Sequence, residues 1–171
     1  MACSQTLSGL AKDCETSIGG VAEVYIANYD DVSSASASSG KISTITMKAS
    51  AKFKRYAFAR NTANMVSNYV VSAENGTQYV ETTLVMVFNR METTKRVEIT
   101  ALAQGDLAVI VKDNNGTYFY LGKDEAVNIS AGDGNTGTAK GDRNGYSITL
   151  MDASKELPFE VDSSAISSIV D

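Results

Sequence analysis

Residues 63–90 read ANMVSNYVVSAENGTQYVETTLVMVFNR. Asn75-Gly76 near the middle is a type I′ turn signal, because both central positions of that turn need positive φ and these two residues tolerate it. The flanks, Met65 to Ser72 and Gln78 to Phe88, are expected to form the two arms of a hairpin. In the second arm Val80, Thr82, Leu84, Met86 and Phe88 line one face, and Tyr79, Glu81, Thr83, Val85 and Val87 line the other. Towards Phe88 both faces are apolar, the pattern of a central strand buried on both sides.

One helix is expected directly after this arm, over about 90–104. Asn89 is a strong N-cap residue, and Glu92 sits at N3, where it can reach back as in a capping box. Glu92 and Arg96 form an i, i+4 pair of the favoured order. Met91, Ile99 and Leu102, with the stem of Lys95, make one stripe that can lie on a sheet. Gly105 stands where a C′ glycine belongs.

The remaining chain reads as strands and turns. Val21 to Ala27 is a short apolar strand, and Ser33 to Gly40 (SSASASSG) reads as a flexible low-complexity loop. Lys41 to Asn61 is rich in β-branched and aromatic residues and reads as two strands or one long, bent one. If extended, Lys54, Tyr56, Phe58 and Arg60 share a face. Leu107 to Val111 is expected to pair with Thr117 to Leu121 across Asn114-Asn115-Gly116. A short strand at Ala126 to Ile129 follows, and Tyr146, Ile148 and Leu150 alternate in a later one. The tail from Glu156 reads as extended at first. About ten strands and one helix predict a mainly β fold: an antiparallel β-sandwich or barrel-like domain with one flanking helix. The 171 residues suit one domain over 1–171, with mobile loops near 30–40 and 130–145 and an extended C-terminal tail.

Composition narrows the function classes. The chain has no histidine, which removes the usual partner of a Ser or Cys nucleophile and the commonest metal ligand. Nothing assembles a nucleophile, a base and an oxyanion site, so no catalytic, cofactor-binding or metal residue is expected and the chain is read as a non-enzyme. Cys3 and Cys14 are expected to be free thiols, because no export signal is read at the start and a C-x₁₀-C pair alone is not a zinc site. No apolar run is long enough to cross a bilayer, and no membrane partner is expected.

Ser130 to Gly145 (SAGDGNTGTAKGDRNG) carries Gly132, Gly134 and Gly137 at G-x-G-x-x-G spacing. A dinucleotide loop needs a helix behind it to hold the pyrophosphate, and here two more glycines and a strand follow. Thr138 after Gly137 fails the P-loop pattern, and Thr138 and Asn144 fail the EF-hand positions counted from Asp133. The segment is therefore read as a long mobile loop that orders against a neighbouring subunit.

Charge is unevenly spread. From Val32 to Ala73 there is no acid but six bases: Lys41, Lys48, Lys52, Lys54, Arg55 and Arg60. The net charge is −5, so the remainder carries −11. The last twenty residues hold Asp152, Glu156, Glu160, Asp162 and Asp171 against Lys155. Complementary patches of this kind suit a head-to-tail interface between identical subunits. The candidate interface residues are Lys48, Lys52, Lys54, Arg55, Tyr56, Phe58, Arg60, Asp142, Arg143, Glu160 and Asp162.

The stretches NGTQYVETTLVMVFNRMETTKRVEITALAQGDLAVIVKDNNGTYFYLG (75–122), GTAKGDRNGYSITLMDASKELPFEVDSS (137–164) and LSGLAKDCETSIGGVAEVYIANYDDV (7–32) resemble structural proteins of tailed phages infecting Bacteroidetes. Within that group the chain is most similar to a tail tube protein. The resemblance implies a β-sandwich with one flanking helix and six copies to a ring. It also implies strands closing into an inner β-barrel, and rings stacked into a tube that carries DNA. It further implies other tail proteins as partners, a virion location after synthesis in the bacterial cytoplasm, and a long loop bridging to a neighbour. Net acidity suits such a conduit, because negative walls do not grip phosphates. The competing expectations are a capsid decoration or head–tail connector protein, and a nucleic-acid-binding module that uses Lys52, Lys54 and Arg55.

Overall fold

The computed structural model describes residues 7–171. Cys3 lies outside them, and Cys14 is free and exposed. The chain is a β-sandwich of two sheets, and neither closes into a barrel. In chain order the strands are β1 (Val21–Asn28), β2 (Val32–Ser38), β3 (Lys41–Met47), β4 (Lys54–Tyr56), β5 (Ala63–Ser72) and β6 (Thr77–Asn89). Helix α1 (Thr93–Gln104) follows. Then come β7 (Leu107–Asp113), β8 (Tyr118–Leu121), β9 (Asn128–Asn135), β10 (Gly145–Ser154), β11 (Phe159–Val161) and the short helix α2 (Ser163–Ile166).

The larger sheet has the order β2-β3-β11-β8-β7-β1-β4, and the smaller one β5-β6-β10-β9. The strand β7 (LAVIVKD) explains the layering. Its first five residues are all buried, so both faces of the larger sheet need cover. On one side Val24, Val109 and Val111 meet Leu84, Met86, Ile148 and Leu150 of the smaller sheet, with Leu102 of α1 beside them. On the other side Tyr25, Ile110 and Tyr120 meet Ile42, Ile45, Phe53, Ile166 and Ile169.

The hairpin at 63–90 forms with longer arms and a different turn. Ser72 pairs with Thr77, leaving a four-residue loop, and of its residues only Gly76 has positive φ (64°). Four-residue hairpin loops are built around ordinary turns, so Asn75 does not take the left-handed state that type I′ requires. The expected alternation holds: Val80, Thr82, Leu84, Met86 and Phe88 are all buried.

Asn89 does not cap the helix. It stays in β6, paired with Gly145, whose added Cβ would lie 2.1 Å from the Phe88 carbonyl oxygen. That close approach admits only glycine, and it carries the strand one residue past the expected end. Arg90 then turns the chain at φ 66°, and Glu92 becomes the N-cap with no side-chain capping bond. Its carboxylate pairs with Lys95 at 2.7 Å instead of Arg96. Gly105 ends the helix as expected, but at φ −100°.

Three expected loops or tails are structured. Ser33 to Ser38 belong to β2, which pairs with β3 through a Ser39-Gly40 turn at φ 53° and 78°. The β-branched strand β3 supplies the template, so small residues suffice opposite it. The glycine-rich segment begins as strand β9, with Gly132 opposite Ile148 and Gly134 opposite Tyr146. Its remaining turn is tied by the Asp142 carboxylate, which accepts from the Thr138 and Ala139 amides. The C-terminal tail is core. Strand β11 lies parallel to β3 and antiparallel to β8, and the chain beyond α2 bridges Phe53 at Val170.

Because Ile166 is 4% exposed and closes the second core, Ile166→Ala should cost about 2–4 kcal/mol in urea unfolding. A loss under about 0.5 kcal/mol would mean that the C-terminal segment is a loose appendage.

Candidate functional site

The eleven candidate interface residues fall in three places. Lys54, Arg55 and Tyr56 form the edge strand β4, with Lys48 and Lys52 in the chain leading to it and Phe58 and Arg60 in the crossing to β5. Asp142 and Arg143 lie in the turn between β9 and β10. Glu160 sits on β11, and Asp162 follows it as the N-cap of α2.

Many of their charges find partners inside the chain. Lys54 pairs with Asp171, Arg55 with Glu23 at 2.7 Å, Arg143 with Asp133 at 3.5 Å, and Glu160 with Lys41 at 2.6 Å. Asp162 accepts from the Ser164 amide and hydroxyl, and these bonds hold its carboxyl below the usual range. The amides of Ala139 and Thr138 do the same for Asp142. Glu23 collects the most partners: the Tyr25 hydroxyl donates to it at 2.7 Å, and Lys112 and Arg55 flank it. The Tyr25 bond, helped by those two cations, keeps its carboxyl low. The basic strip and the acidic tail thus meet within one molecule, at Lys41–Glu160 and Lys54–Asp171. Exposed pairs of this kind contribute little to stability.

Lys48, Lys52 and Arg60 have no acid within ion-pair distance among the described residues. Lys52 lines a cleft of about 320 Å³ with Asp31, Tyr56 and Glu98. The Tyr56 hydroxyl donates to Glu98, and burial together with that carboxylate pushes it well above the normal phenol range. Phe58 is half-buried against the inter-sheet core.

A different surface went unnoticed in the sequence. The edge strand β5 (ANMVSNYVVS) has no charged residue and no proline over ten residues. Val66, Tyr69 and Val71 on it are 46%, 53% and 65% exposed, and Tyr79 opposite Val70 is also exposed. The outward face of the smaller sheet carries Thr83, Val85 and Val87 from β6 and Ser147, Thr149 and Met151 from β10. Its strands place Glu81 and Asp133 on it and no Lys or Arg, and Arg143 of the β9–β10 turn pairs with Asp133. The available signal was the charge-free run from Asn61 to Ala73, with apolar residues at both strand parities.

Among the described residues Asp152 is the one buried acid, at 2% exposure. Its Oδ1 accepts from the Gly122 amide at 3.0 Å and ties β10 to the turn after β8. Burial raises its pKa, and nearby Asp124 and Glu125 add to the effect. The folded chain therefore holds this proton to higher pH than the unfolded chain. The stability so gained is full below the usual carboxylate range and is lost as pH rises through the raised value. Asp152→Asn keeps an acceptor for Gly122 and removes the charge. Its urea midpoint should match the native one near pH 3 and equal or exceed it at pH 7. A lower midpoint at pH 7 would make the carboxylate a net stabiliser.

Among the described residues no three His, Cys, Asp or Glu side chains gather where a metal could sit, and no helix is long and apolar enough to cross a membrane. No family model, no curated protein and no solved structure matches the chain.

Proposed function

We propose that this chain is a self-assembling structural subunit, and that its assembly is the stacked-ring tail tube of a tailed phage. The observation that carries the reading is β5. An exposed edge strand presents unpaired amides and carbonyls, and monomeric proteins blunt such edges with Lys, Pro or short length. β5 has ten residues and none of these devices. A strand of this kind fits pairing with another copy. β9 is the other free edge of the same sheet, so a contact from β5 to β9 is head-to-tail and can close a ring.

The size of such a ring is compatible with DNA. Six four-stranded sheets at about 4.8 Å per strand close on a circumference of roughly 115 Å, a circle about 37 Å across. That leaves a bore for a duplex after the side chains are counted. The outward face of the smaller sheet suits its wall, because small neutral residues with Glu81 and Asp133, the latter already neutralising Arg143, offer phosphates little to hold. The resemblance to phage tail proteins gives the virion location and the other tail proteins as partners.

Negative-stain microscopy with light scattering tests the assembly. The native chain at high concentration should give rings or tubes with a central channel, while Val70→Lys on β5 should stay monomeric and folded. Trimers, or binding to capsids alone, would replace this reading with a decoration protein. A native chain that stays monomeric even with a tail-tip preparation added would end it. The wall assignment has its own check. Tubes carrying Thr83→Lys and Thr149→Lys should bind DNA with an affinity that falls steeply with salt, and native tubes should not. Equal DNA binding by both would place another face towards the lumen.

A further inference from the structure

Two unmatched features lie towards opposite ends of β7. At its Asp113 end, the segment ahead of β1 is held by the following turn. The Asn115 side chain donates to the Ile18 carbonyl at 3.0 Å, and the Asn114 side chain to the Gly19 carbonyl at 2.7 Å. Every residue from Leu7 to Gly20 is exposed, and Leu7 and Leu10 are 89% and 103% exposed. Leucines displayed in this way have no cover on their own body. Towards the Leu107 end of β7, a groove of about 460 Å³ runs between α1 and β9. Ile99, Ala103, Ile129 and Tyr146 line it, and Gly132 leaves it open by having no side chain.

We propose that this groove receives Leu7 and Leu10 of a second copy of the chain. One charge fits: Arg96 borders the groove, and Asp13 follows the leucines. Reach fits as well. From Ser17 back to Leu7 an extended chain covers up to about 35 Å, against roughly 23 Å for the whole of β7. An extended segment is thus long enough to pass its own end of the sandwich, and a neighbour placed in that direction presents the groove. The contact is heterologous, joins copies end to end, and does not depend on ring closure through β5.

Both sides can be changed without touching the core. Leu7→Asp with Leu10→Asp alters exposed positions only. At Gly132 an added Cβ meets the Ser147 carbonyl oxygen at 3.5 Å and Ile148 Cγ2 at 3.8 Å, ordinary contact distances, so a side chain can start there and Gly132→Val is used to fill the groove. Each variant is made in the full chain carrying Val70→Lys, so that pairing through β5 is suppressed, and unfolding curves confirm that both are folded. Sedimentation velocity should show concentration-dependent association of the Val70→Lys parent. Either change should weaken it by about a hundredfold or more. A one-to-one mixture of the two should form a heterodimer, because one partner offers an intact groove and the other an intact segment. A monomeric parent, undiminished association of either variant, or a mixture that fails to pair would overturn the proposal. None of these results bears on the β5 ring, which is read with Val70 intact.

Discussion

The burial of β7 on both faces sets the rest of the structure. A strand whose residues Leu107 to Val111 all lie inside must have a second layer above and below it. The smaller sheet and α1 supply one layer, through Leu84, Met86, Ile148 and Leu102. Among the described residues there is no third sheet for the other side. It uses Phe53 between β3 and β4 together with Ile166 and Ile169 near the C-terminus. Backbone bonds fasten these parts: the Phe53 amide donates to the Ile169 carbonyl at 2.8 Å, and the Asp171 amide to the Phe53 carbonyl at 3.0 Å. The distant end of the sequence therefore completes a core begun at Tyr25.

This closure also decides where the charge goes. Bringing the C-terminal segment onto β3 and β4 brings Glu160 to Lys41 and Asp171 to Lys54. An asymmetry that looks intermolecular along the sequence is partly neutralised within one molecule. What remains for a partner is less charge and more uncovered backbone, at β5 and β9.

Much of the fold was legible where side-chain pattern and backbone demand agree. The alternation in β6, the β7–β8 hairpin and the helix before β7 are all present. The misread elements are those in which a distant partner decides. Asn89 is a good cap by residue type, but pairing with Gly145 keeps it in a strand. Ser33 to Ser38 lack strand propensity, yet β3 templates them. Gly132 and Gly134 look like loop residues until Ile148 and Tyr146 lie opposite. The charged interface candidates were visible as residue types, but their intrachain partners come from far along the chain. The β5 edge was written in the sequence as missing charge, and an absence is harder to notice than a cluster.

The two sheets are treated differently. The larger one is covered on both faces, even at the cost of recruiting the C-terminal segment. The smaller one is left bare on its outward face and at both edges, with Val66 and Val85 in the open or half-open. Covering it would have required no new kind of element, since a helix or a few Lys residues on β5 suffices to protect an edge. Blunting an edge is the easy course for a chain that works alone, so its omission over ten residues is a physical argument for a partner that repeats the same sheet. An outward face of Thr, Ser, Val and Asn then has a use. In the proposed ring this face, with Glu81 and Asp133 as its strand charges, would be the inside, and the half of the molecule with paired Lys, Arg, Asp and Glu would face water.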